Sequence, residues 1–217
     1  MSLLKIKVGG TTKLVKYEAL PGQYKKVRYI QSNGSNNSLT VNYNNPLFSG
    51  DDVFSVEMYI KTLADNSNEV FTMSTGSNGT GYTSLYFRLW PAYYPGQCQY
   101  VFSGKGFSSE KIYLYNTGNP LPREQVLLFT GQNVYINDTL FMNNLGRTSN
   151  VVGSIRFLAY TQDAALGKVE VYGSDMKLKE KLVPCLDKTA NSYGLYSTAT
   201  KTFFGRNTFS EFVPPQE

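Results

Sequence analysis

Short segments in which apolar and polar residues alternate run through most of the chain, and this pattern constrains the fold more than any other. Apolar side chains occupy every second position between residues 54 and 60: Phe54, Val56, Met58 and Ile60. The segment 84–90 repeats the pattern with Leu85, Phe87 and Leu89. A two-residue period is that of a half-buried antiparallel strand. No stretch longer than about 8–10 residues has a convincing apolar period of 3.6, so an all-β fold is predicted.

Turn signals separate these segments at intervals of roughly 8–12 residues, which is typical of a β-sandwich or barrel. Further strands are predicted at 26–30, 39–43, 69–73, 97–102, 111–115, 125–130, 134–136, 139–141 and 154–160. The chain has 217 residues, a size that a single all-β sandwich can reach. The predicted architecture is therefore a two-sheet antiparallel sandwich.

The last part of the chain, residues 167–212, is predicted to form one antiparallel ribbon sealed by aromatic residues. It begins with alternating residues up to Tyr172, turns at 173–175, and continues as a strand over 178–184. We expect the ribbon to lie beside the strand that opens at 27–30. Its predicted core and closing residues are Val169, Val171, Leu182, Val183, Leu195, Phe203 and Phe204.

Positive charge is concentrated in the first 28 residues, which hold seven Lys or Arg against Glu18 alone. The net charge of the whole chain is +5, so residues 29–217 sum to −1. A nucleic-acid-binding sandwich would carry its positive charge on the body, and no nucleic-acid partner is expected. Residues 1–19 are predicted to be a basic hairpin arm turning at Gly9–Gly10, and residues 20–217 the sandwich. A lysine-rich hairpin either docks to an acidic partner or is a solvated edge.

The residues available exclude most catalytic chemistry. The chain has no histidine, which removes Ser-His-Asp and Cys-His nucleophilic systems and His-based metal sites. A glycosidase needs two carboxyl groups about 5–10 Å apart. No carboxylate cluster occurs, and Glu57 and Glu170 are predicted to stand alone and solvated on outward strand faces. Asp51 and Asp52 could hold a structural calcium ion but more often cap a turn. No enzymatic activity and no cofactor are predicted.

The cysteine and hydropathy patterns give no strong indication of a disulfide, a membrane span or a signal peptide. Cys185 follows an apolar run and is predicted to lie in the core, and its distance from Cys98 in sequence is weak evidence for a disulfide. No apolar stretch reaches the roughly 18 residues of a membrane span, and no signal peptide is recognised.

A binding surface is the remaining possibility, and the middle of the chain offers the best cluster of residues for it. Sugars present apolar C–H faces and hydroxyl groups, which aromatic rings flanked by Arg and Asn can bind. The predicted carbohydrate-binding residues are Asn78, Tyr82, Tyr86, Arg88, Trp90, Tyr93 and Tyr94. The same residues could instead form a layer covering the sheet or a subunit interface.

The beginning of the predicted sandwich resembles a known family. LPGQY at 20–24 followed by VRYIQSNG at 27–34 is similar to the opening of concanavalin A-like, laminin-G-type jelly-roll domains. The closing ribbon resembles the same family in its GKVEVY at 167–172, LVPC at 182–185, GLY at 194–196 and FF at 203–204. The chain departs from the family pattern at Ser197, where an Asp is usual.

The resemblance implies a concanavalin A-like jelly roll preceded by the hairpin arm. Such domains are common in tail and virion-associated proteins of phages and prophages. The expected function is therefore a lectin-like virion protein, made in the bacterial cytoplasm, that binds a cell-surface glycan of the host. The arm would contact other virion proteins, and a homo-oligomer, for example a trimer, is plausible. The alternatives are a structural decoration or assembly module and, less favoured, a laminarinase-like glycan-active enzyme.

Overall fold

The computed structural model describes residues 3–8, 11–16, 19–34, 37–61, 68–74, 83–91, 98–103, 111–115, 123–130, 133–143, 151–159 and 164–216. The backbone alone is described for 3–8, 11–16, 68–69, 83–91, 98–103, 111–115 and 142. These residues form nineteen strands and no helix. Within them, no helix is available to cross a membrane.

The strands follow in sequence as short segments: β1 Leu3–Val8, β2 Thr11–Lys16, β3 Tyr24–Lys26, β4 Tyr29–Ser32, β5 Leu39–Asn42, β6 Val53–Ile60, β7 Asn68–Ser74, β8 Thr83–Pro91, β9 Cys98–Ser103, β10 Lys111–Tyr115, β11 Glu124–Thr130, β12 Asn133–Ile136, β13 Thr139–Met142, β14 Ser154–Phe157, β15 Ala164–Tyr172, β16 Leu178–Asp187, β17 Ser192–Ser197, β18 Phe203–Arg206 and β19 Phe209–Phe212.

Two antiparallel sheets make up the sandwich. The larger sheet has the order β13-β12-β11-β6-β15-β16-β17-β18, with β3 paired to β16 and β4 paired to both β15 and β19. The smaller sheet has the order β10-β9-β8-β7-β14-β5. The chain crosses from one sheet to the other at β5–β6–β7 and again at β13–β14–β15, and this exchange is the connectivity of a jelly roll. The predicted all-β, two-sheet antiparallel sandwich is confirmed.

The core lies between the sheets and follows the alternation of the sequence. Phe54, Val56, Met58 and Ile60 of β6 are fully buried, as predicted. The ring of Phe71 in the smaller sheet meets that of Phe129 in the larger sheet edge-on, with centroids 5.6 Å apart. Aromatic pairs of this geometry stabilise a core beyond the burial of their area.

The closing ribbon lies where the sequence predicted, beside the opening of the sandwich. β19 pairs with β4 from Phe209↔Ser32 to Phe212↔Tyr29. The predicted single strand over 26–30 is wrong, because β3 pairs with β16 whereas β4 pairs with β15 and β19. The chain changes partner between them, and the Val27 amide donates to the Pro184 carbonyl at 3.0 Å.

Most predicted core residues of the ribbon are buried: Val169, Val171, Leu182, Val183 and Leu195. Phe203 and Phe204 are half-buried, which fits a closing role at the edge of the core rather than a place inside it. They lie on β18, the last strand of the larger sheet, where no further strand of the described chain covers them. The Phe203 ring stacks on Tyr24 at 5.3 Å, and Phe204 packs against the edge of the core.

β1 and β2 pair with each other as the predicted hairpin, from Leu3↔Lys16 to Val8↔Thr11. They form a two-stranded sheet of their own. The division of the chain into an arm at 1–19 and a sandwich at 20–217 stays a prediction.

Candidate functional site

The outer face of the smaller sheet carries a row of polar residues across neighbouring strands. Thr40 lies opposite Arg156, Arg156 opposite Thr72, and Thr72 opposite Tyr86. The residues on either side of them in sequence, such as Val41, Ile155 and Phe71, are buried in the core. Since side chains alternate along a strand, this row lies on the face turned away from the core.

A second polar row runs beside the first. Asn42 lies opposite Ser154, and Ser154 lies opposite Ser74. Together the two rows define what we call the polar face: Thr40, Asn42, Thr72, Ser74, Ser154 and Arg156. Thr40, Asn42 and Arg156 are half-buried, whereas the three smaller residues are buried. The buried hydroxyl groups of Thr72, Ser74 and Ser154 therefore form the deeper part, or floor, of the polar face, and the other three side chains lie nearer to solvent.

Two hydroxyl groups on this floor lack a hydrogen-bond partner within the described part of the chain, Thr72 Oγ1 and Ser74 Oγ. A buried hydroxyl without a partner costs about 1–3 kcal/mol. A buried water molecule can supply the missing partner. Both oxygen atoms have almost no solvent-accessible surface, so this unsatisfied hydrogen-bonding capacity lies beneath the polar face.

Three predicted binding residues share a face of β8 and align with the polar face. Tyr86 lies opposite Thr72 and Ser103, Arg88 opposite Val101, and Trp90 opposite Gln99. Because β8 alternates regularly along its pairing with β9, Tyr86, Arg88 and Trp90 lie on the same face as Thr72. Their side chains are not described, so the binding role remains a prediction.

The other four predicted binding residues, Asn78, Tyr82, Tyr93 and Tyr94, lie outside the described residues, and their role likewise remains a prediction.

A second candidate site lies at the open side of the sandwich, where β5 of the smaller sheet comes near β18 of the larger sheet. A cleft of about 390 Å³ opens there, which we call the edge cleft. Three amides, two hydroxyl groups, one aromatic ring and one aliphatic side chain line it: Asn42, Asn44, Asn45, Leu47, Thr200, Thr202 and Phe204. The volume falls within the range of about 300–1,000 Å³ usual for small-molecule sites.

The turn that carries Thr200 and Thr202 is held by a buried carboxylate. Glu180 is 1% exposed, and its Oε2 accepts a hydrogen bond of 2.7 Å from Ser197 Oγ. Ser197 Oγ in turn accepts from the Thr200 amide at 3.0 Å, and the Ser197 amide donates to the Thr202 carbonyl at 2.9 Å. Ser197 thus fixes the turn at the position where the resembling family usually has Asp.

The opposite wall of the edge cleft begins directly after β5. The Tyr43 amide donates to the Gly153 carbonyl at 2.9 Å, and the Val152 amide donates to the Phe48 carbonyl at 3.1 Å. Both ends of the segment 44–47 are therefore tied to the core. Burial raises the pKa of Tyr43 well above its ordinary value, and the neighbouring Glu180 adds to this. The Tyr43 hydroxyl lies near that carboxylate but outside hydrogen-bonding geometry.

The sequence did not predict the edge cleft. The run of Asn residues at 42–45 was visible, and so was the Ser-Thr-Ala-Thr turn after Gly194–Leu195–Tyr196. The two segments are about 155 positions apart in the chain, and nothing in the sequence alone brings them together.

The prediction for Glu170 is wrong, because this residue is not a solvated surface carboxylate. It is 5% exposed, and its two oxygens accept from Lys181 Nζ at 2.7 Å and Lys168 Nζ at 3.1 Å. Burial alone would raise the pKa of Glu170, but the two lysines outweigh it and lower the pKa below its ordinary value of 4.5. The charge is compensated within the larger sheet.

Glu57 also has close neighbours. Its Oε1 lies 3.9 Å from Arg28 Nε and 3.4 Å from the Tyr29 hydroxyl. Burial, with the charge of Glu57 adding to it, raises the pKa of Tyr29. Arg28 also bridges to Glu124, with Nη2 and Oε2 2.6 Å apart. Glu57 and Glu124 are thus joined through one guanidinium group, and neither is an isolated carboxylate.

Asp52 caps a turn and is paired with a lysine. Its Oδ2 accepts the Ser49 amide at 3.0 Å, and Lys179 Nζ lies 3.0 and 2.8 Å from its two oxygens. Among the described residues, no group of three or more Cys, Asp or Glu side chains is arranged to hold a metal ion. A structural calcium ion at Asp51 and Asp52 stays a suggestion from the sequence.

Comparisons with known proteins were made with the sequence and with the backbone. No protein-family model matches the chain, and no curated protein is significantly similar to it in sequence. Solved structures with similar backbones include a heptameric SAP-like pentraxin from Limulus polyphemus, which is 14% identical, with 68% of this chain and 76% of the pentraxin aligned and a TM-score of 0.45.

Two galectins are similar in the same way. Galectin LEC-6 from Caenorhabditis elegans is 12% identical over 69% of this chain and 95% of the galectin, with a TM-score of 0.41. Sheep galectin-11, solved in complex with glycerol, is 17% identical over 70% of this chain and 99% of the galectin, with a TM-score of 0.36. These are similarities of backbone at low identity, and the function must be argued from the residues of this chain.

Proposed function

We propose that the protein is a non-catalytic, lectin-like module that binds carbohydrate on the outer face of its smaller sheet. One observation carries the proposal: polar residues on three adjacent strands, Thr40, Arg156 and Thr72, share a row with Tyr86 of β8. Sugar hydroxyl groups both donate and accept hydrogen bonds, and aromatic rings stack on their C–H faces. Thr40 and Arg156 are half-buried, so they are the described residues of this row that a sugar could reach.

The non-catalytic part of the proposal rests on the carboxylates. A glycosidase needs a general acid whose pKa is raised, so that it keeps its proton near neutral pH. Glu170 has the opposite perturbation, because Lys168 and Lys181 overcome its burial and lower its pKa. Glu57 and Glu124 are both engaged with the Arg28 guanidinium group and do not form an isolated pair of carboxyl groups.

We further propose that the module belongs to a phage or prophage virion, as part of a tail or fibre, and attaches it to a cell-surface glycan of the host. The support is the resemblance of residues 20–34 and 167–204 to jelly-roll domains of such proteins. The basic arm at 1–19 would contact other virion proteins. Binding on a shallow sheet face would be weak per site, and several copies on one particle would raise the avidity.

The experiment compares the wild type with Trp90→Ala on a glycan array and on purified cell walls from a panel of bacteria. We expect the wild type to bind and Trp90→Ala to bind at least about tenfold more weakly, since aromatic residues dominate binding at such surfaces. Leu178→Ser is the matched control, because Leu178 is 42% exposed at the beginning of β16 in the larger sheet and lies outside the polar face.

Circular dichroism and thermal unfolding must show that Trp90→Ala is folded. If it is not, Trp90 belongs to the core, and Arg156→Ala takes its place in the binding assay. A wild type that binds none of the glycans and cell walls refutes carbohydrate binding. If folded Trp90→Ala and Arg156→Ala both bind as strongly as the wild type, the carbohydrate site does not lie on this face.

A second function, that of an assembly module, is favoured by exposed apolar residues on the outer face of the larger sheet. Leu140 is 52% exposed and Val126 is 41% exposed. Leu140 lies opposite Tyr135, which lies opposite Leu128, so the exposed residues extend a half-buried apolar row. If light scattering shows a stable oligomer that Leu140→Ser dissociates, the result supports assembly through this row. If changing Tyr93 and Tyr94 to Ala dissociates the oligomer instead, the interface lies on the predicted aromatic cluster.

A further inference from the structure

We propose that the edge cleft is a separate subsite for a neutral sugar, the terminal residue of the glycan that the polar face binds. The inference deepens the proposed function and rests on it for the extended ligand, but the cleft can be tested alone. No sequence motif pointed to this site. The composition of its walls, their rigidity and their position beside the polar face point to a sugar.

The lining of the edge cleft matches a polyhydroxylated ligand. Each Asn amide offers a carbonyl acceptor and an N–H donor pair, and each Thr hydroxyl can donate or accept. Asn44 and Asn45 are exposed, and within the described residues neither amide is engaged in a side-chain hydrogen bond. Thr202 Oγ1 donates to the Thr200 carbonyl at 3.2 Å, so its lone pairs remain able to accept. The amides and hydroxyls can thus pair with adjacent sugar hydroxyl groups.

Apolar groups complete the match. Phe204 is half-buried and packs against the core, so its ring is supported from beneath. Leu47 is 37% exposed at the opposite wall. A sugar ring has an apolar C–H face that stacks on such surfaces. This combination distinguishes a sugar from a small polar ion, which would leave the ring and the aliphatic side chain unused.

The ligand is expected to be neutral. None of the described residues that line the edge cleft is charged. Lys201 lies in the turn between Thr200 and Thr202 but lines a different cleft, with Leu20 and Tyr196. An acidic sugar would bring a carboxylate into a site whose lining has no cation to compensate it, at a desolvation cost.

The walls are held in place before a ligand binds. Glu180 and Ser197 fix the turn at 197–202 through the hydrogen bonds described above, and Ala199 adds an amide at 3.4 Å to Glu180 Oε1. Backbone hydrogen bonds tie residues 43 and 48 to β14 and its approach. A site that is already ordered loses less conformational entropy on binding.

Asn42 connects the edge cleft to the polar face. It lines the cleft, and it lies in the row Asn42–Ser154–Ser74 that crosses three strands of the smaller sheet. A glycan with its terminal sugar in the cleft can therefore continue over Asn42 toward Thr40 and Arg156, the other half-buried residues of the polar face. The geometry points to recognition of a glycan end, with the next residues lying across the sheet.

The test titrates the full chain with glucose, galactose, mannose and N-acetylglucosamine, and with glucuronic acid as the acidic probe, followed by two-dimensional ¹H–¹⁵N NMR. We expect at least one neutral sugar to shift the amide signals of Asn44, Thr200 and Thr202, and glucuronic acid to leave them in place. Phe204→Ala should weaken this binding by about tenfold or more.

Phe203→Ala is the matched control, because the adjacent Phe203 ring stacks on Tyr24 outside the cleft, and its removal should leave sugar binding unchanged. If Phe204→Ala does not fold, Thr202→Val removes one hydroxyl at constant shape and should weaken binding as well. Absence of cleft shifts with every neutral sugar at millimolar concentrations overturns the proposal. Equal binding by wild type and folded Phe204→Ala does so too.

The failure of this subsite can be told apart from failure of the proposed function. If sugars still shift the amide signals of the edge cleft in Trp90→Ala, the subsite remains supported even when binding to cell walls is lost. If Phe204→Ala and Thr202→Val still bind cell walls as the wild type does, the polar face remains supported as a binding site and the subsite in the edge cleft is refuted.

Discussion

The buried ion triplet of Glu170 with Lys168 and Lys181 predicts a pH-dependent loss of stability when its charge is removed. Glu170→Gln keeps the shape of the side chain but removes its negative charge and replaces one acceptor oxygen by an NH2 donor, so at most one of the two hydrogen bonds, of 2.7 and 3.1 Å, can remain. Each such bond contributes about 1.5–3 kcal/mol. The Lys168 and Lys181 side chains are 37% and 20% exposed, so hydration of their ammonium groups offsets part of the lost stabilisation. We expect a net loss of about 2–3 kcal/mol at pH 7.

The sign of the pH dependence follows from the pKa of Glu170, which is lower in the folded protein than its ordinary value of 4.5. The unfolded chain therefore takes up a proton at higher pH than the folded chain does. The stabilisation is fully present above the unfolded-state pKa and is lost as pH falls through the folded-state pKa. The wild type and Glu170→Gln should consequently converge in stability as the medium is acidified.

The assay is urea unfolding followed by fluorescence and circular dichroism at pH 7 and at steps down to the lowest pH at which the wild type remains folded. Glu124→Gln is the control, since the Arg28 and Glu124 side chains are 57% and 47% exposed and such a pair contributes at most about 1 kcal/mol. A deficit for Glu170→Gln that is the same at every pH would refute the electrostatic explanation and assign the loss to packing. No deficit at pH 7 would refute the triplet as a source of stability.

Two further predictions concern the closing ribbon. Gly194→Ala should prevent folding or destabilise it by several kcal/mol in thermal unfolding, because the new Cβ would overlap the Phe204 carbonyl and come within 2.5 Å of Gly205 Cα, both backbone atoms. Gly22→Ala, where nothing lies within 4 Å of the new Cβ, is its control, and equal stability of the two variants would contradict the close strand approach. Burial raises the pKa of the Cys185 thiol to about 12, so it should resist alkylation at pH 8 until denaturant is added, and rapid labelling of native Cys185 would show that it is accessible.

The architecture followed from the sequence wherever local alternation decided the outcome. The strand Val53–Ile60 and its four inward residues were predicted because a period of two leaves one buried face whatever the neighbouring strand is. The strand predicted over 26–30 failed for the opposite reason. Its residues have strand character throughout, but the chain changes partner between Lys26 and Tyr29, and partner choice has no local signal.

Charge and exposure were predicted less well than strands. Glu170 alternates with Val169 and Val171 and so was correctly assigned to the outer face of its strand. Its burial there depends on Lys181, brought beside it by the pairing of β15 with β16. Whether a carboxylate on an outward face is solvated or paired depends on its cross-strand neighbours. These neighbours are known only once the pairing register of the strands is known.

The sequence by itself determined the fold class and the inward and outward faces of most strands, because these depend on periodicity and turn chemistry within short windows. It also directed attention to Tyr86, Arg88 and Trp90, which share a face of one strand. Only the tertiary structure decided that Thr40, Arg156 and Thr72 join them in one row, and that Asn42 and Phe204 enclose a cleft. Those juxtapositions arise from pairing and packing between segments far apart in the chain, whose free energy no local pattern encodes.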